Sequence, residues 1–569
     1  MIPNHQSEFP THRYAIFFAV LVAFCLSSSA GFSDQTGTSS IQNLLRNRIE
    51  AGGVPANIFV GEEPIYTSVA LPLFYGRRIY KPAWVSDQGP LDSAEDQLKM
   101  IREVDREGLR REDYHLVKLE TILAQIRADR ERQILPDPRR LVDLDLLLTD
   151  SFLILGSHLL TGRVDPKTVD PQWHINPRAG DLSLILEQAL ASVQIGAALR
   201  TLIPDHAGYQ RLRRELARYR VISARGGWPM ISEGPNLKQG DSSAAVSILQ
   251  RRLAAEGYLE NYLPEKESYF DDRLDRALRK FQLQNGLEVD GILGAHTRKA
   301  LNMTVDDRIR QIIANMERWR WLTHDLGSRY ILVNIAGFYL EVIDDGRLQM
   351  SMKVVVGKPY RRTPVFTATM TYLVFHPFWH VPARIASEEL LPKIKRDAAF
   401  LGREKIRVFE GWGAEAIEIN PAEVDWQKIT AADFKFHFSQ DPGPQNALGR
   451  TKFMLPNPFD VYLHDTPARE LFGKTQRAFS HGCIRIEKPL ELAAYLLKND
   501  PNWPHEKIRR TLTGSVMPEQ TVKLPEPIKV HVIYWTVWLG ADDQIYFSAD
   551  IYDRDKILEA ALDQPPPGH

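Results

Sequence analysis

The hydrophobic period of this 569-residue chain changes near residue 330, and no other feature constrains its fold as strongly. Upstream, apolar residues recur every three or four positions, for example over residues 141–160 and 209–219, which is typical of amphipathic helices. From Tyr330 onward, runs such as YILVNI, FYLEVID and LQMSMKVVVG have the composition of β-strands. Because single cores rarely grow beyond about 250–300 residues, several domains are expected. The sequence therefore predicts a multidomain α+β protein, with helical domains followed by a mostly β domain that contains helical insertions.

The first 30 residues have the pattern of an export signal. His12 and Arg13 precede the apolar run 15–26, and the small residues after it favour cleavage behind Ala30. The run is short for a membrane-spanning helix, which needs about 20 apolar residues. We therefore predict a signal peptide over residues 1–30. The alternative is an uncleaved leader that anchors the chain in a membrane.

The charge and the cysteine count narrow the classes of function. The chain carries 71 basic and 72 acidic residues, so nothing favours a nucleic acid as partner. Its two cysteines are Cys25, inside the leader, and Cys483. Exported proteins usually pair their cysteines in disulfides, so a single remaining thiol favours a chemical role. The alternative is a small buried apolar side chain, as free cysteine often is.

Three helical regions are predicted upstream of the period change. Residues 41–230 have helical apolar spacing and no constellation of reactive residues, so we expect a structural scaffold. Residues 234–303 contain three short helices, the first ending at Gly257 and the second capped by Asp271. Residues 304–329 contain a connecting helix with one apolar face.

The β domain is predicted over residues 330–555, with a hairpin turn at residues 344–346 (DDG). Within it, residues 377–450 are rich in proline, glycine and charge. A segment of that length inside a domain is usually a functional lid or insertion. We therefore expect residues 377–450 to cover a substrate.

Two histidines in this region, His376 and His380, are the candidate metal ligands of the sequence. Their spacing would place both rings on one face of a helix, but Pro377 and Pro382 argue against a continuous helix here. We therefore predict aromatic packing rather than a metal site.

The best candidate for chemistry is a histidine that precedes the lone thiol by 19 residues. Strand alternation in FDVYLHD places Tyr462 and His464 on one face. A cysteine nucleophile needs a base, or a local field that lowers its pKa from about 8.5, and histidine titrates near neutrality. Gly482 would let a substrate approach the backbone, whose amide N–H groups would face a developing oxyanion. Arg485 adds a charge that would hold the loop, lower the thiol pKa or bind a substrate carboxylate.

Residues 234–303 resemble the peptidoglycan-binding domain of the three-helix type. This segment contains all four sequence motifs that carry the resemblance: LK-GD, LQ--L---GYL, FQ---GL--DG and T--ALN. The resemblance implies a groove that binds cell-wall glycopeptide.

Residues 330–555 resemble the L,D-transpeptidase catalytic domain. The stretches that carry the resemblance are YLHDTP at 462–467, SHGCIR at 480–485, VNI--F-L at 333–340, VVVGKP---TPVF at 354–366, PFWHVP at 377–382 and DPGPQNALG at 441–449. The whole chain looks like the large subfamily in which a helical scaffold and a peptidoglycan-binding domain accompany this catalytic domain.

The resemblance makes Cys483 the nucleophile and His464 the general base. Five further residues surround the site and are expected to shape an oxyanion hole or to position substrate: Ser480, Gly482, His481, Arg485 and Tyr462. The implied reaction is acyl transfer from a stem tetrapeptide to Cys483 with release of D-Ala, followed by attack of an amine from a second stem to form a 3→3 cross-link.

The resemblance implies no metal or organic cofactor. Its implied partners are peptidoglycan stem peptides and glycan, and its implied location is the periplasm of a Gram-negative-type cell envelope. Two alternatives remain open at this point. One is an L,D-carboxypeptidase or endopeptidase that hydrolyses peptidoglycan stems, and the other is a non-catalytic cell-wall-binding protein.

Overall fold

The computed structural model describes residues 40–566, apart from residues 54, 261–267, 324 and 412. The predicted signal peptide lies outside the described residues. The N-terminal region is helical, with two short hairpins, Phe59–Val60 with Glu63–Pro64 and Val85–Ser86 with Gly89–Pro90. Its helices are Ser40–Glu50, Ala70–Arg77, Asp92–Arg102, Leu116–Glu131, Pro138–Thr161, Pro166–Val169, Leu182–Ser192, Ile195–Thr201 and Ala207–Ala224.

The helix Pro138–Thr161 runs through the centre of this region. Among the described residues it is the one helix that is long and apolar enough to cross a membrane, and 89% of its most apolar window is buried inside the protein. The helix predicted over residues 141–160 is therefore confirmed, and the structure shows that it is buried. Its buried Asp145 is tolerated because it accepts hydrogen bonds from the Tyr75 hydroxyl and from the main-chain N–H of Trp84.

Residues 234–303 form a small unit with its own apolar core, made by the predicted three helices. The Asp271 side chain accepts the N–H of Leu274 at 2.9 Å, and Gly257 ends the first helix with a φ of +91°, as their residue types predict. The helices are Ala244–Glu256, Asp272–Gln284 and Ala295–Leu301.

The predicted connecting helix is Val305–Arg320. It begins at Thr304, which forms a capping box with Asp307. It packs beside Ala207–Ala224, whose buried face joins the hydrophobic core of the β domain through Tyr209, Leu212, Leu216 and Tyr219. The last helix of the predicted scaffold is therefore part of the core that supports the β domain.

Nine described strands form the main sheet of the β domain, and eight of them close into a barrel. Closure follows because Tyr339–Asp344 pairs with both Arg329–Asn334 and Arg347–Gly357. The strand order is Ala478–Ser480, Arg347–Gly357, Ile484–Ile486, Leu463–His464, Thr451–Met454, Phe366–Phe375, Gln520–Ile533, Arg329–Asn334 and Tyr339–Asp344. Around it lie the hairpin Val537–Leu539 with Ile545–Phe547 and the helices Pro489–Leu496, His505–Thr513 and Arg554–Leu562.

Two strand predictions have different outcomes. The hairpin turn at residues 344–346 is confirmed, with Asp345 and Gly346 at φ values of +48° and +70°. In FDVYLHD, however, only Leu463–His464 is a strand. The preceding residues form a turn because Asp460 has a φ of +53° and the Asn457 side chain bonds to the main chain around it.

Residues 377–450, called the cap below, form a folded subdomain rather than a long loop. Its sheet has the order Ile417–Ile419, Ile406–Glu410, Phe436–Gln440 and Trp379–Val381. Helical segments lie at Ala383–Ile385, Ala386–Leu390, Leu391–Arg396 and Phe400–Arg403, the second with the wider π spacing. A separate apolar cluster that includes Val408, Trp426 and Phe438 holds this segment together.

Candidate active site

The turn that carries Cys483 is fixed by hydrogen bonds on both sides. The Ser480 hydroxyl donates to the Cys483 carbonyl oxygen at 2.5 Å and accepts the N–H of Gly482 at 3.1 Å. On the other side, the Thr363 hydroxyl donates to the Gly482 carbonyl oxygen at 2.8 Å. Gly482 has a φ of +123°, a conformation that L side chains rarely adopt, so the glycine is required here. The amide that Gly482 itself carries is engaged inside the turn.

Strand pairing brings His464 to the same face of the sheet as Cys483. Leu463–His464 runs parallel to Ile484–Ile486, with Leu463 opposite Ile484 and His464 opposite Arg485. His464 and Arg485 therefore share one face of the two strands. Tyr462 and Cys483 immediately precede the strands and lie beside that pair, and Tyr462 hydrogen-bonds to the Cys483 thiol. The rings of Tyr462 and His464 lie 5.6 Å apart between centroids. The four side chains therefore lie together around the partly exposed Cys483, and this place is called the opening below.

The Cys483 sulfur is half-buried. Its thiol donates to the carbonyl oxygen of Asp460 over 3.6 Å. Burial raises the pKa of the Cys483 thiol above its ordinary value, while hydrogen bonds from Tyr462 and the charge of Lys452 act in the opposite direction. The resting thiol is therefore neutral near pH 7.

His464 is buried and its tautomer is fixed. Its Nδ1 lies 2.6 Å from the carbonyl oxygen of Asp465, which only accepts hydrogen bonds, so Nδ1 carries the proton and Nε2 the lone pair. Burial, together with the charges of Arg485 and Lys452, lowers the pKa of His464 to about 3. The imidazole is therefore a neutral acceptor at neutral pH. Within the described residues no hydrogen bond joins it to Cys483, and such contacts often tighten only when substrate binds.

His481, next to the thiol, contacts the cap. Its Nε2 makes a short hydrogen-bond contact with the carboxylate of Glu389, which lies on the π-spaced segment Ala386–Leu390. The neighbouring Glu388 pairs with Arg361, on a loop beside the turn of Cys483. Two adjacent carboxylates of the cap therefore bind the rim of the candidate site. The Nε2 atom of His481 is therefore engaged by the cap.

Comparison with protein families assigns the regions of the chain. Residues 328–505 match the family described as "L,D-transpeptidase catalytic domain", and residues 69–216 match "Scaffold domain". Residues 242–301 match "Putative peptidoglycan binding domain". The chain carries an L,D-transpeptidase catalytic domain. The resemblance and the α+β multidomain fold class predicted from the sequence are both confirmed.

Comparison with individual proteins agrees with this assignment. A Haemophilus influenzae protein named "Putative L,D-transpeptidase" is 33% identical over 231 residues, which are 41% of this chain and 45% of that protein. The chain thus spans less than half the length of this relative. A Mycobacterium tuberculosis protein, N-acetylmuramoyl-L-alanine amidase CwlM, is 39% identical over 80 residues, 13% of this chain and 20% of that protein.

The solved L,D-transpeptidase from Mycobacterium smegmatis is 16% identical to this chain. The superposition covers 36% of this chain and 58% of that one, with a TM-score of 0.18. At this score the structural likeness adds nothing to the family assignment.

Several residues at the opening of the L,D-transpeptidase domain were not anticipated from the sequence. The Asp460 and Asp465 carbonyl oxygens bond to the thiol and to the imidazole, and Lys452 lies opposite His464 in the sheet. The only sequence signal for Lys452 is the alternation of TKFM, which turns it away from buried Phe453. No spacing relative to Cys483 indicates it. Among the described residues there is no group of three or more His, Cys, Asp or Glu side chains that could hold a metal ion. The rings of His380 and His437 lie 5.5 Å apart between centroids.

Proposed function

We propose that this protein is an L,D-transpeptidase that forms 3→3 cross-links in peptidoglycan through a thioester on Cys483. The observation that carries the proposal is a thiol and a neutral imidazole on one face of two adjacent strands, at the mouth of a domain of that family. The donor is a stem tetrapeptide that ends in D-Ala. The match of residues 242–301 to a peptidoglycan-binding family supports the cell wall as its substrate and an extracytoplasmic location, with export by residues 1–30.

The acylation step uses the two neutral groups. Nε2 of His464 takes the proton of the thiol as the sulfur attacks the carbonyl carbon between the diamino acid and D-Ala. The imidazolium then gives that proton to the departing amine of D-Ala, and a thioester remains. Donors around the turn, including the groups that Tyr462 directs at the sulfur, would stabilise the oxyanion.

The deacylation step repeats the proton transfer. The side-chain amine of a second stem attacks the thioester, His464 accepts a proton from that amine, and the thiol leaves and is reprotonated. Water would compete with the amine for the thioester. We expect the cap, which contacts His481 through Glu389, to limit that competition.

The test is incubation of the purified protein with disaccharide-tetrapeptide, followed by mass analysis. We expect two monomers to be lost for each cross-linked dimer formed, with release of one D-Ala per dimer. Cys483→Ala protein is the matched control and should leave the substrate intact. Tripeptide without dimer would instead assign an L,D-carboxypeptidase. Unchanged substrate with folded wild-type protein would favour the non-catalytic wall-binding protein.

A further inference from the structure

Two cations flank His464 on the face that holds the thiol. Lys452 is the cross-strand partner of His464 on one side, and Arg485 is its partner on the other. The three strands are adjacent in the barrel, so the side chains form one row, Arg485–His464–Lys452. Cys483 lies two residues from Arg485 and therefore on the same face. A row of two positive charges thus borders the candidate nucleophile.

Neither cation has a carboxylate partner within the described residues. The Lys452 ammonium lies 4.0 Å from the centroid of the Tyr462 ring, which attracts it weakly, and forms no ion pair. Asp460 and Glu519 act on it only at longer range. The buried Nε of Arg485 has no hydrogen-bond partner, and Glu470 is the acidic group that acts on it from a distance.

Unpaired cations that are half-buried are costly in a folded protein. Other arginines in this chain avoid that cost, since buried Arg318 pairs with Asp555 and buried Arg320 pairs with Glu317. Lys452 and Arg485 are both partly buried, and the charge of each interacts with Cys483. Two unpaired cations lower the stability of the free protein. When an anion binds, they gain charge-assisted hydrogen bonds that offset this cost.

We propose that Lys452 and Arg485 form a subsite for the free C-terminal carboxylate of the donor peptide, the carboxylate of the departing D-Ala. This inference rests on the proposed function. In such a peptide the carboxylate carbon is three bonds from the scissile carbonyl carbon, which limits their separation to about 4 Å. Neighbouring strands lie about 4.8 Å apart, so a peptide held with its scissile carbonyl at the sulfur presents its carboxylate to this row.

The subsite explains how the site would select a chain end. A stem that continues beyond D-Ala, or one whose end is amidated, lacks this carboxylate and leaves both cations unpaired. Such a site rejects a substrate without the charged group, because buried polar groups then lose their partner. Lys452 would therefore act in recognition of the donor and Cys483 in the reaction.

A competing role for Lys452 acts through the thiol. Its positive charge favours the thiolate form of Cys483, and that effect does not depend on the substrate. The two roles differ in what they discriminate. If Lys452 acts on the thiolate, its loss slows acylation by every donor equally. If it forms a carboxylate subsite, its loss slows acylation only by donors that end in a free carboxylate.

The test compares two donors and four proteins. The donors are disaccharide-tetrapeptide with a free terminal carboxylate and the same molecule as its C-terminal amide. The proteins are wild type, Lys452→Met, Lys452→Arg and the control Lys523→Met, which removes an exposed lysine from the strand Gln520–Ile533 of the same sheet. The readout is the rate of Cys483 acylation per concentration of donor, by intact mass. The different leaving amines affect all four proteins alike and cancel in the comparison.

We expect wild type to prefer the acid over the amide, and Lys452→Met to lower this preference by about 10- to 100-fold, the range for a hydrogen bond to a charged group. Lys452→Arg should keep most of the preference, and Lys523→Met all of it. If Lys452→Met does not fold, Lys452→Gln takes its place.

Equal slowing of both donors by Lys452→Met would overturn the subsite and assign Lys452 to the thiol. Unchanged acylation by both donors in Lys452→Met would also overturn it while leaving the proposed transpeptidase intact. Acylation by neither donor would instead contradict the proposed function itself.

Discussion

The scaffold helix Pro138–Thr161 and the opening at Cys483 both hold charged groups inside the protein, but they hold them differently. Asp150 on the helix is fully buried and accepts hydrogen bonds from the main-chain N–H of Tyr66 and Thr67 and from Nε2 of His115 at 2.8–3.1 Å. At the opening, Lys452 and Arg485 lack ion pairs among the described residues, and the candidate base is neutral.

This difference distinguishes charged groups that stabilise the fold from charged groups that are available to bind a ligand. A buried carboxylate with all its hydrogen bonds fixes neighbouring segments and has nothing left to offer a substrate. A cation without a partner stabilises nothing in the resting protein, but its charge is available. We therefore expect changes at the opening to alter chemistry with little effect on folding, and changes on the helix to do the reverse.

The largest effect is expected from Cys483→Ala, which removes the sulfur on which the thioester forms. Release of D-Ala and dimer formation should be abolished, whereas stability to urea should change by less than about 0.5 kcal/mol, since the side chain is small and only half-buried. D-Ala release by the variant at the wild-type rate would show that another group is the nucleophile.

His464→Ala should lower the acylation rate by roughly 10²–10⁴-fold, the range for a positioned base. The rate is measured by intact mass on protein that is shown to be folded by its thermal melting curve, because His464 is buried and its removal leaves a cavity. An unchanged rate in the folded variant would remove His464 from the mechanism.

Asp150→Ala should lower the stability of the fold without changing the acylation rate. It leaves the donors of Tyr66, Thr67 and His115 without an acceptor, so the free energy of unfolding should fall by about 3–5 kcal/mol. Acylation per folded molecule should not change.

Asp143→Ala on the same helix is the matched control. Asp143 is partly exposed and pairs with Arg48 at 3.4 Å, so its loss should lower the free energy of unfolding by less than about 1 kcal/mol. Equal destabilisation by the two variants, measured by urea unfolding, would contradict the distinction between the two regions.

The smallest effect is expected in the pH dependence of Cys483 alkylation by iodoacetamide. Because burial raises the pKa of the thiol, more of it is protonated at any given pH than in free cysteine, and its alkylation rate should rise about tenfold per pH unit through pH 8. Since the pKa of His464 is lowered to about 3, no inflection should appear near pH 6.5. Free cysteine is the control. An alkylation rate that is constant below pH 7 would reveal a thiolate–imidazolium pair and contradict the conclusion that Cys483 and His464 are both neutral.

Much of the fold follows from local patterns. The sequence correctly predicts four local features: the helix over residues 141–160, the helix start at Asp271, the helix end at Gly257 and the hairpin at residues 344–346. Each of them depends on residues only a few positions apart. The cap was expected only as an insertion, because its separate core joins residues far apart in sequence, such as Val381 and Phe438.

The candidate site also contains features that the sequence predicts and features that depend on the tertiary structure. The flanking motifs indicate Cys483 and His464, and alternation alone puts Tyr462 on the face of His464. The sequence does not reveal that the N–H of Gly482 is engaged by Ser480, since that depends on how the turn folds back. It likewise does not reveal the contact between His481 and Glu389, which are 92 residues apart.

The sequence by itself indicated which residues can react, and it determined local elements such as the helix over residues 141–160 and the hairpin at residues 344–346. Only the tertiary structure decided which charges surround the reactive pair. Lys452, His464 and Arg485 come from three strands, and a shift of one residue in either pairing would turn one of the cations to the opposite face of the sheet. That register depends on the closed barrel and its core, to which distant parts of the chain contribute together.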